Sequence, residues 1–207
     1  MLNRIQKRID RWKFKRSIQK LKHIPFCIVS NSCLSGRIYK TLNRQYNTPF
    51  VGILIHPPCF AKLVTDFENY MVKDLVFTNQ SKYPHHPTAR RSNSSCPLGL
   101  LGDVELQFIH YTCEEEAAQK WNERKARMDY TKLYYILAIN GACDQGVISQ
   151  YTESESQKKI CFHHQEGLEM PCCIYIPSNN EHIGNLYSQY HRFVGRFDFA
   201  DWIMRSN

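Results

Sequence analysis

A chain of 207 residues with 43% hydrophobic and 13% aromatic side chains has the length of one domain and the means to build a sizeable core, which excludes disorder, collagen-like sequence and repeat arrays. No window approaches the roughly 20 apolar residues a bilayer crossing needs, and the basic start lacks the apolar core and cleavage site of a secretory signal, so a cytoplasmic protein is expected. The formal charge of +8 is lopsided: residues 1 to 22 hold nine Lys and Arg against Asp10 alone, while the remainder carries 18 basic and 18 acidic side chains. Cations gathered in one terminal block, rather than spread over a face with base-reading or stacking groups, argue against nucleic-acid binding by the globular body.

The first 22 residues place Leu2, Ile5, Ile9 and Trp12 at steps of three and four, the stripe of a basic amphipathic helix. Two fates stay open for it. It can lie on an anionic membrane surface, drawn at about 1 kcal/mol per nearby cation, on the inner face of the cytoplasmic membrane. Alternatively it docks its stripe on the domain or on a partner protein.

From Pro25, PFCIVS reads as a short buried strand, Asn31 to Gly36 as a turn, and Ile38, Tyr39 and Leu42 as a helix. A second unit follows: a strand at FVGILIH (50–56), a helix opened by Pro57 and Pro58, and a strand at LVF (75–77). Residues 79–99 read as a long loop, and DVELQFIHY (103–111) alternates as a strand. Thr112 is expected to cap a helix whose acidic first turn, Glu114 to Glu116, and basic end match the helix dipole. Strands are expected at 133–139, 159–163 and 172–176, with a closing helix over 197–204. This alternation predicts an α/β fold: a single three-layer domain over 23–207 with a mostly parallel sheet, preceded by the basic helix of residues 1–22.

Nine cysteines, an odd count without paired zinc spacing, favour neither a disulfide scaffold nor a metal site, and no cofactor is implied. His85–His86 and His163–His164 read as loop pairs rather than ligands. Chemistry is best placed at Cys33, in the loop between the first strand and the next helix, where free backbone N–H groups favour a thiolate and then an oxyanion. Gly36 lets the backbone approach, Asn31 offers an amide donor, and Ser32 and Tyr39 complete the expected substrate and oxyanion contacts. If the 103–111 strand runs parallel to the first, His110 at its carboxyl end shares a sheet rim with Cys33 and becomes the general base. Asp103 is too far back to orient its ring; Glu114 and Asp144 both remain as orienting groups. Arg90 and Arg91 in the long loop are candidates for a donor phosphate.

Ser30-Asn31-x-Cys33, Tyr39, YNTPFVG (46–52), Pro97-Leu98-Gly99, DVELQFIHY with EEEAAQKWNERKARM behind it, and the terminal FDFADW together resemble an uncharacterised bacterial family whose members are often labelled exopolysaccharide-biosynthesis proteins. The resemblance covers most of residues 24–204, but Leu34-Ser35 stands where a Trp-Gly pair is usual, so no ring-stacking role carries over to that position. A looser likeness, limited to Asn31 and the surroundings of Cys33, links the loop to acyltransferase-like capsule-biosynthesis proteins. The resemblance implies work on surface polysaccharide, and the residues add a reaction to it: a Cys-dependent acyltransferase or hydrolase acting on a sugar or polysaccharide precursor. A glycosyltransferase-like nucleotide-sugar binder and a non-catalytic, membrane-associated adaptor of the same machinery are the alternatives.

Overall fold

The computed structural model describes residues 2–83, 96–141, 143–178 and 183–206; the His85–His86 pair, Arg90 and Arg91 lie outside them. The chain runs α1 (Leu2–Gln19), β1 (Cys27–Ser30), α2 (Leu34–Leu42), α3 (Pro57–Thr65), α4 (Phe67–Met71), β2 (Leu75–Phe77), β3 (Leu98–Leu101), β4 (Val104–Gln107), α5 (Glu114–Lys125), β5 (Leu133–Ala138), α6 (Gln145–Glu153), β6 (Lys159–His163), β7 (Cys173–Tyr175) and α7 (Phe199–Arg205). Strands β1, β5, β6 and β7 pair in that order as a parallel sheet. Successive side chains of a strand face opposite sides. Val29, Tyr135, Leu137 and Cys161 therefore pack into one apolar cluster with α3, α4 and α5. Ile28, Tyr134, Ile136, Ile160 and Phe162 pack into a second one with α1, α2 and α7. Burial on both faces explains why these strands read as unbroken apolar runs.

Helix α1 docks through Phe14 and Ile18, which are 4% and 1% exposed, against Tyr190 and Phe199. The stripe read from the sequence, Ile5, Ile9 and Trp12, stays exposed. Helix α2 buries Leu34, Ile38 and Leu42 and stops at Asn43, whose φ of 51° closes the helix with backbone bonds to Lys40 and Tyr39 carbonyls.

Three expectations need correction. The 103–111 segment is not parallel to β1: only Val104–Gln107 is a strand, and it belongs to a separate antiparallel sheet of order β2-β3-β4. Gly102, at φ 56°, and Asp103 turn β3 tightly into β4, a two-residue hairpin at the point where the sequence reading begins its 103–111 strand. Nor is 50–56 a strand. Its backbone divides its bonds, Leu54 pairing with Gln107 and Ile55 N donating to Asn31 O at 3.1 Å, so it is a buried connector lacing one sheet to the other. Thr112 is not the cap of α5; Cys113 holds that position, and Thr112 instead donates its hydroxyl and N–H to Glu116. Helix α6, capped by the Asp144 carboxylate on Gly146 N, was not expected at all. No helix among the described residues is long and apolar enough to cross a membrane.

Candidate functional site at the Cys33 and His110 rim

Strand β1 delivers its carboxyl end to Asn31, and the chain then turns through Ser32 into α2, with Cys33 as its N-cap residue. Cys33 makes no side-chain capping bond, so its sulfur is not spent on the helix. It lies 3.4 Å from Nε2 of His110. The thiol is partly exposed and the imidazole exposed, which leaves the pair reachable from outside.

His110 arrives by a route different from a parallel strand end. After β4 the chain makes a tight turn, with Ile109 N bonded to Gln107 O and Tyr111 N to Phe108 O, and His110 N donates to Gly52 O at 3.3 Å. Gly52 has φ 83°, and a Cβ there would stand 3.3 Å from His110 Cβ and 3.2 Å from the Tyr111 ring. The turn is pinned from the other side. Tyr111 OH and the Arg124 guanidinium both donate to Val51 O, at 3.0 and 2.9 Å, and Arg124 also donates to Tyr111 OH at 2.6 Å. Gly52, Tyr111 and Arg124 thus position the imidazole through its backbone. Their types and spacing carry no catalytic signature, though Gly52 closes the YNTPFVG block.

Burial pushes the Cys33 thiol above its ordinary value, so the resting group is the neutral thiol and needs a base to become a nucleophile. His110 is at hydrogen-bond range for that transfer. Neither expected orienting group serves. Asp144 is committed to Gly146 N, and Glu114 makes no hydrogen bond to His110 among the described residues. The first-turn N–H groups of α2 have no partners within the helix, and they begin at the residue after the thiol. They are the donors available to an oxyanion.

Several expected contacts turn out to be structural. Asn31 is 2% exposed; its amide hydrogens go to Ile55 and Ala138 carbonyls, and its Oδ1 accepts from Ala138 N at 2.7 Å. It fastens β1, β5 and the 50–56 connector together and has no donor left for a substrate. Tyr39 is fully buried, donating to Asn47 Oδ1 at 2.6 Å and accepting from Ile28 N, with burial holding its phenol well above the usual range. Gly36 does permit a close approach, but to the protein itself: a Cβ would meet Val51 Cγ1 at 3.3 Å and the Tyr187 ring at 3.9 Å. Ser32 stays beside the thiol, its N–H and hydroxyl turned to Ser30 Oγ. One residue missed by sequence reading is Arg37, a turn further along α2, stacked 4.0 Å over the Tyr187 ring and bonded to its carbonyl. Among the described residues no group of three His, Cys, Asp or Glu side chains is placed to hold a metal ion.

A family described as a domain of unknown function, DUF1919, matches residues 4–204. An uncharacterised protein of Haemophilus influenzae is 24% identical over 200 residues, covering 93% of this chain and 91% of its own length.

Proposed function

The chain belongs to the DUF1919 family, and from the site it carries we propose a thiol-dependent acyl transferase or hydrolase with Cys33 as nucleophile and His110 as general acid and base. The observation that carries this reading is the 3.4 Å approach of sulfur to imidazole at an accessible helix start. In the proposed cycle His110 Nε2 takes the Cys33 proton as the sulfur adds to an acyl carbonyl carbon. The carbonyl oxygen gains the negative charge and is held by first-turn N–H groups of α2. Collapse of the adduct breaks the bond to the leaving group, which departs with the proton from His110. A hydroxyl of the acceptor, or water, then gives its proton to His110 and attacks the thioester, and the expelled thiolate recovers that proton.

The acceptor in this reading is a sugar or polysaccharide precursor of the cell surface. Its support is the resemblance of the Cys33 and His110 blocks to proteins labelled for exopolysaccharide biosynthesis. The apolar clusters on both sides of the parallel sheet support residues 23–207 as one three-layer domain, onto which the basic helix of residues 1–22 docks through Phe14 and Ile18.

Incubation with an activated acyl ester, followed by peptide mass mapping, tests the covalent step. Wild type should carry the acyl group on Cys33, Cys33→Ala none, and His110→Ala should acylate at least about a hundredfold more slowly at neutral pH. Acyl groups scattered over the other cysteines, or equal labelling of Cys33→Ala, would remove the proposal.

A further inference from the structure

We propose that α1 is an interfacial helix that lays its outward face into the surface of an anionic bilayer while its opposite face stays docked on the domain. A helix advances about 100° per residue, so with Ile5 at zero, Ile9 falls near 40° and Trp12 near −20°. On the same wheel Phe14 falls near 180° and Ile18 near 220°, roughly opposite. The structure follows this division: Phe14 and Ile18 are buried against Tyr190 and Phe199, whereas Ile5, Ile9 and Trp12 are 56%, 40% and 57% exposed. Docking has used one face and left a second apolar stripe pointing away from the body.

The charges identify the occupant. Arg8, Lys13 and Lys15 fall near −60°, 80° and −80°, on both sides of the stripe, Arg16 follows it near 20° one turn beyond Trp12, and all four are exposed. The helix's single acid, Asp10, lies near 140° on the docking side, where it accepts from Gln6. Arg16 sits 5.3 Å over the Trp12 ring, the pose of a cation at the rim of an apolar patch. A surface that is apolar in depth and negative at its top fits this arrangement: the ring and the two isoleucines enter the acyl boundary, and the cations remain at headgroup level. A protein partner would need an acidic rim around an apolar groove, and that occupant is excluded or favoured by the same measurement.

The full chain should sediment with vesicles of phosphatidylglycerol and phosphatidylcholine and remain free of pure phosphatidylcholine vesicles. Brominated lipid should quench Trp12 fluorescence, read as the difference from Trp12→Phe. The triple variant Ile5→Ser, Ile9→Ser, Trp12→Ser should bind the anionic vesicles at least about tenfold more weakly, since it removes the inserted apolar area. Its melting temperature and its acylation at Cys33 should match wild type, which separates this proposal from the catalytic one. Wild type left in the supernatant would overturn it and turn attention to a protein partner. Equal sedimentation of the triple variant would overturn it in favour of adsorption by charge alone, and a lowered melting temperature would show that the stripe is not free.

Discussion

Two places among the described residues set a cysteine and a histidine at the start of a helix, and they meet opposite fates. At α2 the thiol of Cys33 faces His110 across 3.4 Å and both groups can be reached from outside. At α3 the N-cap is His56 and Cys59 follows in the first turn, yet they are 2% and 4% exposed. Tyr83 covers them, its ring 4.2 Å from the His56 ring and its hydroxyl 3.3 Å from Cys59 Sγ. Beneath, Gln107 Nε2 donates to His56 Nε2 and to Glu105 Oε1, and Glu105 takes Ser81 Oγ and Lys82 N as well. Residue type and helix position are thus shared. What separates the two is that His56, Cys59 and the Glu105 carboxyl at α3 are buried and engaged in holding chain segments together, whereas Cys33 and His110 have each other and open surroundings.

The sharpest break in this comparison comes from Glu105→Ala. The fully buried carboxyl collects donors from three residues, and deleting it strands them, at a cost of about 3 kcal/mol in urea denaturation. Acylation of Cys33 below the transition should be unchanged. A loss of acylation with intact stability would mean that the closed cluster serves the reaction after all.

Gly52→Ala probes the open site with a smaller change. The left-handed backbone there costs a non-glycine residue roughly 1–2 kcal/mol, and the new Cβ would press on His110 and Tyr111. Stability should fall by about that amount, while displacement of the imidazole slows Cys33 acylation by at least about tenfold. Wild-type acylation in the variant would show that the backbone of His110 does not need this glycine.

The smallest effect is set by Asp103, in the hairpin that connects β3 to β4. The Lys62 ammonium and Tyr70 hydroxyl bonds hold its carboxyl down to about 2. A depressed folded value means stability present above the ordinary carboxyl range and lost as pH falls from roughly 4 towards about 2. The urea midpoint should drop across that window in wild type and less in Asp103→Asn. Because Asp103 is half exposed, the difference should be small.

The pairing of Cys33 with His110 was legible because both sit where an apolar run gives way to turn residues. The route was not. Alternation of Val104, Leu106 and Phe108 marks a face but carries no direction, which leaves a parallel course open as a condition, whereas Gly102-Asp103 carries the sign of a hairpin. The α/β class follows from the alternation of strands and helices, and the continuous apolar runs mark β1, β5, β6 and β7, while the split of the remaining strands into a second, antiparallel sheet leaves no such mark. Helix α6 was missed because only Ile148 and Tyr151 are buried in it, too few to make a stripe. The type of Asn31 allows a substrate donor; only the neighbouring strand ends show that its amide is already committed. In α1 the exposed stripe and the docking pair Phe14 and Ile18 share the same four-residue step, so spacing alone does not tell them apart.

The sulfur hangs from the parallel sheet and the imidazole from the antiparallel one, and the connector of residues 50–56 is bonded to both. Their separation is consequently a ruler laid across two platforms that are joined by that connector and by one shared apolar cluster. A slide of a single ångström between those platforms would switch proton hand-over off while leaving each platform intact.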